Sequence, residues 1–407
     1  MAGTRSTNVV IAGGGPAGMM CGYLLARAGV DVMVLEKHAD FLRDFRGDTV
    51  HPSTLEVIYE LGLLDDFLKL PHQKIYFAEG EIGDGRFRVA DFTHLPTHCK
   101  FIVFMPQWNF LNFLAEKARL LPSFHLLMET EATGLLREAG ETVGITARSR
   151  EGSFQVRSKL TIAADGRDSR LRDAAGLHVE SLGAPMDVLW FKLAMREGET
   201  PAVFGRVAAG GILVRLYRGD YWQCAFLIAK GAFDAVKREG LDAFRGRVAE
   251  LAHRDNANEI RSWDDVRLLT VEVDRLRRWY APGLLFVGDA AHAMSPVGGV
   301  GINLAIQDAV ATANLLAGAL RQGRVSPADL ARVQKRRWFP TWIVQVFQTT
   351  MQNRVVDPVL RSSTPLQAPS ILKLVQKWSW LQRIPARLIG IGPRPEHVSK
   401  ALLNQFG

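Results

Sequence analysis

Residues 8–36 constrain the fold more than any other stretch of this 407-residue chain. Val9, Val10 and Ile11 form an apolar run short enough for a buried strand. Gly13-Gly14-Gly15-Pro16-Ala17-Gly18 follows with G-x-G-x-x-G spacing. Met19 to Ala28 continues as a helix, and Gly29 stands where helices end. Val32–Leu35 is a second strand, with Glu36 and Lys37 after it. A dinucleotide site needs this order. Gly13 permits the tight turn, Gly15 lets backbone close on a pyrophosphate, and Gly18 lets helix and strand pack closely. Glu36 is placed to accept from both ribose hydroxyls of an adenosine. A glycine turn without a ligand is the plain alternative, and the acid ending the second strand argues against it.

Leu284–Asn303 repeats the logic. Leu284–Val287 is an apolar strand that Gly288-Asp289 ends. Pro296, Gly298, Gly299 and Gly301 make a small-residue loop. From Ile302 and Asn303 onward, Leu304, Ile306, Ala309, Val310 and Ala313 have helical spacing. The loop brings backbone close to a ligand and aims a helix N-terminus at an anion. Leu160–Ala164 is a third buried strand, ending in Asp165-Gly166 and a polar helix start, Arg167–Arg172.

Arg43 and Arg46 follow the second strand, and Arg46 is expected to reach a phosphate or the ligand's ring edge. Gln107 opens a helix and is expected to face the same ligand, an ordinary cap-region residue being the plain alternative. Residues 72–105 hold alternating patterns, Lys74–Ala78, Phe87–Phe92 and Phe101–Met105, which read as strands of a second sheet. Residues 183–275 are β-rich, with Arg218-Gly219-Asp220 as a hairpin turn and a helical piece over 233–252. Trp190, Tyr217 and Trp222 are candidate pocket residues, although which sheet face lines the pocket is open. Pro96 breaks the helix that would align His94 with His98, so no metal site is expected.

The net charge of +8 is uneven. Residues 331–407 hold 12 Lys/Arg and 2 Asp/Glu, leaving 38 and 40 of them to the first 330 residues. Basicity confined to a tail argues against nucleic-acid binding. No apolar run approaches a membrane span and no secretory signal opens the chain, so a cytoplasmic protein is expected. Three scattered cysteines do not suggest a disulfide framework. In the tail, Trp338, Phe339, Trp342, Ile343, Val346 and Phe347 form a broad apolar stripe beside Lys335-Arg336-Arg337. Two readings stand: helices that cap the core or a dimer contact, and a basic aromatic surface for an anionic membrane or a lid for a lipophilic substrate.

Taken in order, GGGPAG, Glu36, Arg46, Gln107, ADGRDSRLR and VGDAAHAMSPVGGVGIN resemble the single-component FAD-dependent aromatic hydroxylases of para-hydroxybenzoate hydroxylase fold. The resemblance implies an α/β protein: a Rossmann-type FAD-binding domain with an inserted mixed β-sheet substrate domain and C-terminal helices. The FAD-binding domain is expected in residues 1–71, 101–182 and 276–325, the substrate domain in 72–100 and 183–275, and a basic helical region in 326–407. It implies that Gly13, Gly15, Pro16, Ala17 and Gly18 bind the ADP part of FAD, with Glu36, Lys37, Arg46, Gln107 and Ala132 as further cofactor contacts. Asp165 and Gly166 bear on FAD and the nicotinamide donor. Gly288 and Asp289 bind the ribityl and pyrophosphate region. Pro296, Gly298, Gly299, Gly301, Ile302 and Asn303 lie under the isoalloxazine, and Pro296 also shapes the oxygen-transfer site.

In such enzymes NADH or NADPH, docked transiently, reduces FAD. Dioxygen adds at flavin C4a, and one oxygen atom passes to an aromatic, phenolic or polycyclic quinonoid molecule. No side chain is assigned a catalytic role; His292 is a structural histidine or a proton relay. A monomer or homodimer is expected. The rivals are a membrane-peripheral FAD-dependent reductase or hydroxylase of an isoprenoid or quinone lipid, and a non-catalytic FAD-fold carrier. The W-x-W-x-I-P signature of flavin halogenases is not met, because Trp378-Ser379-Trp380 stands too far from Ile384-Pro385.

Overall fold

The computed structural model describes residues 3–42, 49–83, 85–199, 204–364, 366 and 369–403. Arg43 and the expected ligand contact Arg46 lie outside the described residues. Five parallel strands form the central sheet, in the spatial order Leu284–Phe286, Gly152–Ala163, Thr4–Ala12, Val32–Leu35 and Phe124–Leu127. Parallel strands are covered on both faces, so they read as continuous apolar runs. Val9–Ala12, Val32–Leu35, Leu160–Ala163 and Leu284–Phe286 are accordingly buried throughout. The hairpin Glu131–Glu138 and Glu141–Ser149 adds antiparallel strands to Gly152–Ala163. Helices Pro16–Arg27 and Gly301–Arg321 pack against each other in one core cluster. The second helix, with the turn before it, is long and apolar enough to cross a membrane, but 72% of that window is buried inside the fold.

A seven-stranded sheet runs in the order Arg267–Leu269, Met186–Ala194, Tyr221–Ala229, Gly211–Tyr217, Phe204–Ala208, Phe77–Ile82 and Gly85–Asp91. The pattern Lys74–Ala78 is not one strand: Gln73–Ile75 and Phe77–Ile82 belong to different sheets. Ile102–Phe104, expected in the second sheet, instead pairs with Thr49–Val50 and Gln73–Ile75 in a small third sheet. The tail begins at a capping box between Ser326 and Asp329 and runs as one helix, Pro327–Met351, continued by a π-helical turn, Gln352–Val356.

Candidate functional site

Three glycine turns meet at the carboxyl edge of the central sheet because their strands are neighbours there. Ala164 N–H donates to Ala12 O at 2.8 Å and Val287 N–H to Ala163 O at 3.0 Å. Gly13 has φ +106°, and a Cβ on it would lie 2.2 Å from Ala164 O. A Cβ on Gly18 would lie 1.9 Å from Gly13 O, so strand and helix pack without room for a side chain. Glu36 ends the next strand. Its carboxylate accepts from Gly14 N–H at 3.0 Å and His38 N–H at 3.1 Å, while Lys37 is exposed. Thr130 N–H donates to Glu36 O at 2.8 Å, which brings Ala132, paired with Ala147, close to this end of the sheet. Gln107 is half-buried in the first turn of helix Gln107–Arg119. An open α/β sheet binds its ligand in such a crevice outside the carboxyl ends of the strands.

Two helix N-termini converge on this edge. A Cβ on Gly288, at φ +60°, would lie 3.1 Å from Ala17 Cβ and 3.3 Å from Ala305 Cβ. Ala17 opens helix Pro16–Arg27 with Pro16, and Ala305 lies in the first turns of Gly301–Arg321. Neither helix start carries a side-chain cap, so backbone N–H groups and the positive dipole ends are left for an anion. Asp289 lies 3.4 Å from the Arg167 guanidinium, whose Nε and Nη1 are buried without a hydrogen-bond partner. Asp165 does not face this crevice with free oxygens. It accepts from Ser169 Oγ at 2.6 Å and Leu171 N–H at 3.2 Å, and burial raises its pKa. Its contribution is to hold the turn at Gly166, where φ is +88°.

The loop from Pro296 is pinned from one side by its own helix. Gly299 has φ +62°, and a Cβ there would strike Thr49 Oγ1 at 2.3 Å. Thr49 Oγ1 donates to Gly299 O at 2.9 Å. Asn303 Oδ1 accepts from His51 N–H at 2.9 Å and Thr54 Oγ1 at 2.7 Å, so its side chain fixes the neighbouring segment. Ile302 is half-buried beside it.

The other side of the loop is held by residues that the sequence reading missed. Gln348 Nε2 donates to Ser295 O at 3.0 Å and Val297 O at 2.8 Å, and its Oε1 accepts from Ser295 N–H at 3.3 Å. Gln345 Nε2 donates to Asp274 O at 2.8 Å and Ala293 O at 3.3 Å, and Gln352 Nε2 donates to Ser295 Oγ. Glutamines at 345, 348 and 352 share one helical face, which is the available signal. Deeper, Asp308 accepts from Gly288 N–H at 3.1 Å, His292 Nε2 lies at 2.6 Å, and Arg337 Nε donates at 2.9 Å. Burial alone would raise the Asp308 pKa, but His292 and Arg337 outweigh it and hold the carboxyl below its usual value. His292 is thus a buried partner of Asp308, with its ring tilted against Trp279 at 4.7 Å between centroids. Arg337, which one of the two readings of the tail put on a basic surface, is buried as the core-capping reading has it and also bonds Glu396 at 3.4 Å.

The seven-stranded sheet separates the candidate pocket residues by parity. Leu189, Phe191 and Leu193 share a face with Trp222, Cys224 and Phe226, and pack on helices Phe233–Glu239 and Leu241–Ala252. Trp222 and Tyr217 stack edge-to-face there, and Trp222 Nε1 donates to Glu199 at 2.6 Å. The structure therefore does not bring Trp222 and Tyr217 to the loop; a β-strand sends alternate residues to opposite faces. Trp190 lies on the other face, in a cluster with Phe104, Leu216 and Val356 that Val297 packs against. At the hairpin end of this face Arg218 Nε donates to Gln223 Oε1 at 3.0 Å, and burial lowers the Arg218 pKa to about 10. His94 and His98 face different carboxylates, Asp91 and Glu56.

Uncapped helix ends, the two unpartnered nitrogens of the Arg167 guanidinium beside Asp289 and a backbone-only turn at Gly13–Gly15 fit the diphosphate and ribityl chain of FAD. Comparison with known proteins agrees. The model of the FAD binding domain family matches residues 6–345. A 6-methylpretetramide 4-monooxygenase of Streptomyces rimosus is 33% identical over 356 residues, which cover 85% of this chain and 84% of that protein. A dialkyldecalin synthase of Streptomyces rugosporus is 27% identical over 351 residues, 82% of this chain and 69% of that one. The solved structure of p-nitrophenol 4-monooxygenase from Pseudomonas putida superposes with a TM-score of 0.76 at 20% identity, covering 96% of this chain and 99% of that one. The chain belongs to the FAD-binding-domain family of FAD-dependent aromatic hydroxylases and has their para-hydroxybenzoate hydroxylase-like fold.

Proposed function

We propose that this flavoprotein hydroxylates an electron-rich ring of a polycyclic phenolic or quinonoid molecule, consuming NADH or NADPH and dioxygen. The observation that carries the reading is that the loop joining Gly288 to the helix start at Gly301 packs, through Val297, against the apolar cluster of Trp190 and Phe104. FAD held in this cradle would supply the redox chemistry, hydride acceptance from the nicotinamide and transfer of one oxygen atom. The chain's own residues do the rest. Gly13 to Gly18, with Arg167 beside Asp289, hold the diphosphate and ribityl chain, and Glu36 holds the adenosine ribose. The N-terminus of Gly301–Arg321 stabilises negative charge on the reduced ring. Trp190, Leu216, Val297 and Phe104 exclude water from the reacting ring. A relative that acts on 6-methylpretetramide, by its name, supports a polycyclic substrate.

The test is oxygen uptake with labelled dioxygen across a panel of polycyclic phenols. Substrate-stimulated NAD(P)H oxidation with label in the product is expected. A reduced, unlabelled product would assign the chain to the reductases. FAD binding without any turnover across the panel would favour a carrier.

A further inference from the structure

Residues 358–395 contain no Asp or Glu, and the segment from Lys373 to Arg387 is built as a surface. Helices Ser370–Lys377 and Arg383–Gly390 and the 3-10 turn between them all pack on strand Gly85–Asp91. Their inner side is fixed: Gln376 Oε1 accepts from Arg88 N–H at 3.1 Å, Gln382 Nε2 donates to Val375 O at 3.2 Å, and Ala386 is buried. The outer side therefore cannot rotate inward. It presents Leu374, Trp378, Trp380 and Ile384, which are 39%, 48%, 55% and 61% exposed. Lys373, Lys377, Arg383 and Arg387 are exposed among them. Trp378 and Trp380 stack with ring centroids 6.5 Å apart.

We propose that this face docks on an anionic lipid bilayer. Exposed indoles belong at the headgroup level, and interleaved Lys and Arg are drawn to acidic headgroups. A second copy of the same face is the poorer occupant, because an isologous contact sets cations against cations. The far end of the docking helix reaches the catalytic region. Leu388 and Ile389 line a cavity of about 10 Å³ with Val297 and Gly298, and Ile389 O accepts from His51 Nδ1 at 2.7 Å. The bilayer would thus lie against the helix whose far end lines this cavity beside the Pro296–Gly299 loop.

The test is flotation of the full-length protein with vesicles of equimolar phosphatidylglycerol and phosphatidylcholine, beside vesicles of phosphatidylcholine alone. Binding to the anionic vesicles only, weakened by salt and accompanied by a blue shift of tryptophan emission, is expected. Lys373→Glu with Lys377→Glu lowers partition about 20-fold or more, at about fivefold per basic residue. Trp378→Ser with Trp380→Ser abolishes the blue shift. Both variants keep the native melting temperature and FAD content, since none of these side chains is packed in the core. The proposal is overturned if native protein does not float with anionic vesicles at low salt. It is equally overturned if both double variants float as well as the native chain. Native protein that dimerises through the patch, with vesicles ignored, overturns it in favour of a second copy.

Discussion

The glycine turns of the cradle and the long helix behind the Pro296 loop fix backbone by different physics. In the turns, the constraint is the lack of a side chain. Gly13, Gly18 and Gly299 stand where a Cβ would overlap neighbouring atoms at 2.3 Å or less. Behind the loop, the constraint is the presence of side chains: Gln345, Gln348, Gln352 and Arg337 reach from helix Pro327–Met351 and its π-turn to backbone and carboxylates far away in sequence. The first kind of support is local and fixed by residue type. The second exists only once the tail has folded back.

The contrast is broken most severely at Gly18. A β-carbon at 1.9 Å from Gly13 O admits no small adjustment, because both atoms belong to backbone. Gly18→Val is expected to yield no folded, FAD-loaded protein. Gly15 is the control: it has φ −73° and a Cβ there would meet nothing within 4 Å. Gly15→Ala is expected to melt within a few degrees of the native chain while FAD affinity falls at least tenfold, as the added methyl faces the diphosphate. Melting curves and flavin titration read the two outcomes separately. Equal unfolding of both variants would show that the glycines serve the fold alone.

The helix side breaks at Arg337. Arg337→Met removes the buried guanidinium that Asp308 and Glu396 share and leaves them only His292 and the part-exposed Arg336, a loss of up to about 3–5 kcal/mol. Arg336 reaches Glu396 as well, at 2.7 Å, but its side chain is 36% exposed. Arg336→Met is expected to cost about 1 kcal/mol or less. Urea unfolding of the pair measures how much of the tail's grip is buried charge.

The two regions also differ in how legible they were. Strand, glycine turn, helix and acid occur within residues 8–36, and each residue type answers a backbone requirement that is visible in one dimension. The tail inverted its apparent pattern. Trp338, Phe339, Trp342 and Val346, which read as an apolar stripe, are exposed, while Arg337, Thr341, Gln345 and Gln348 are buried. Hydrophobic periodicity fails when the buried face pays for its polarity through long-range hydrogen bonds. Sheet parity was hidden for a similar reason. Trp190 and Trp222 are equally suited to a pocket by type, and only the helices over 233–252 decide which face is covered.

His51 ties the start of Gly301–Arg321 to the C-terminal helix Arg383–Gly390 and adds a pH dependence. Its backbone N–H meets Asn303, its ring Nδ1 meets Ile389, and it is fully buried. Burial lowers its pKa to about 4, against the pull of the Ile389 carbonyl. The unfolded chain protonates this histidine below about pH 6.5, while the folded chain resists until about 4. Its stabilising effect is therefore complete above pH 6.5 and is lost as pH falls toward 4, by about 3 kcal/mol at most. His51→Gln is expected to flatten the unfolding free energy over that interval. An unchanged slope would place the acid sensitivity elsewhere, with Asp308 next in line through its lowered pKa.

A last variant separates loop position from loop stability. Gln348→Leu removes three hydrogen bonds to the backbone of Ser295 and Val297 and leaves the helix packed. Each is worth about 1 kcal/mol net, with a further cost for the carbonyls left unpaired, so a loss of about 3 kcal/mol or more is expected. If the helix merely covers the core, that loss is the whole consequence. If the glutamines set the height of the loop under the flavin ring, the visible absorption and reduction potential of bound FAD also shift, because the loop carries the N-terminus of Gly301–Arg321 with it. A variant destabilised by this amount but spectrally native would reduce the tail to a clamp, and the cradle at the sheet edge would then position the cofactor alone.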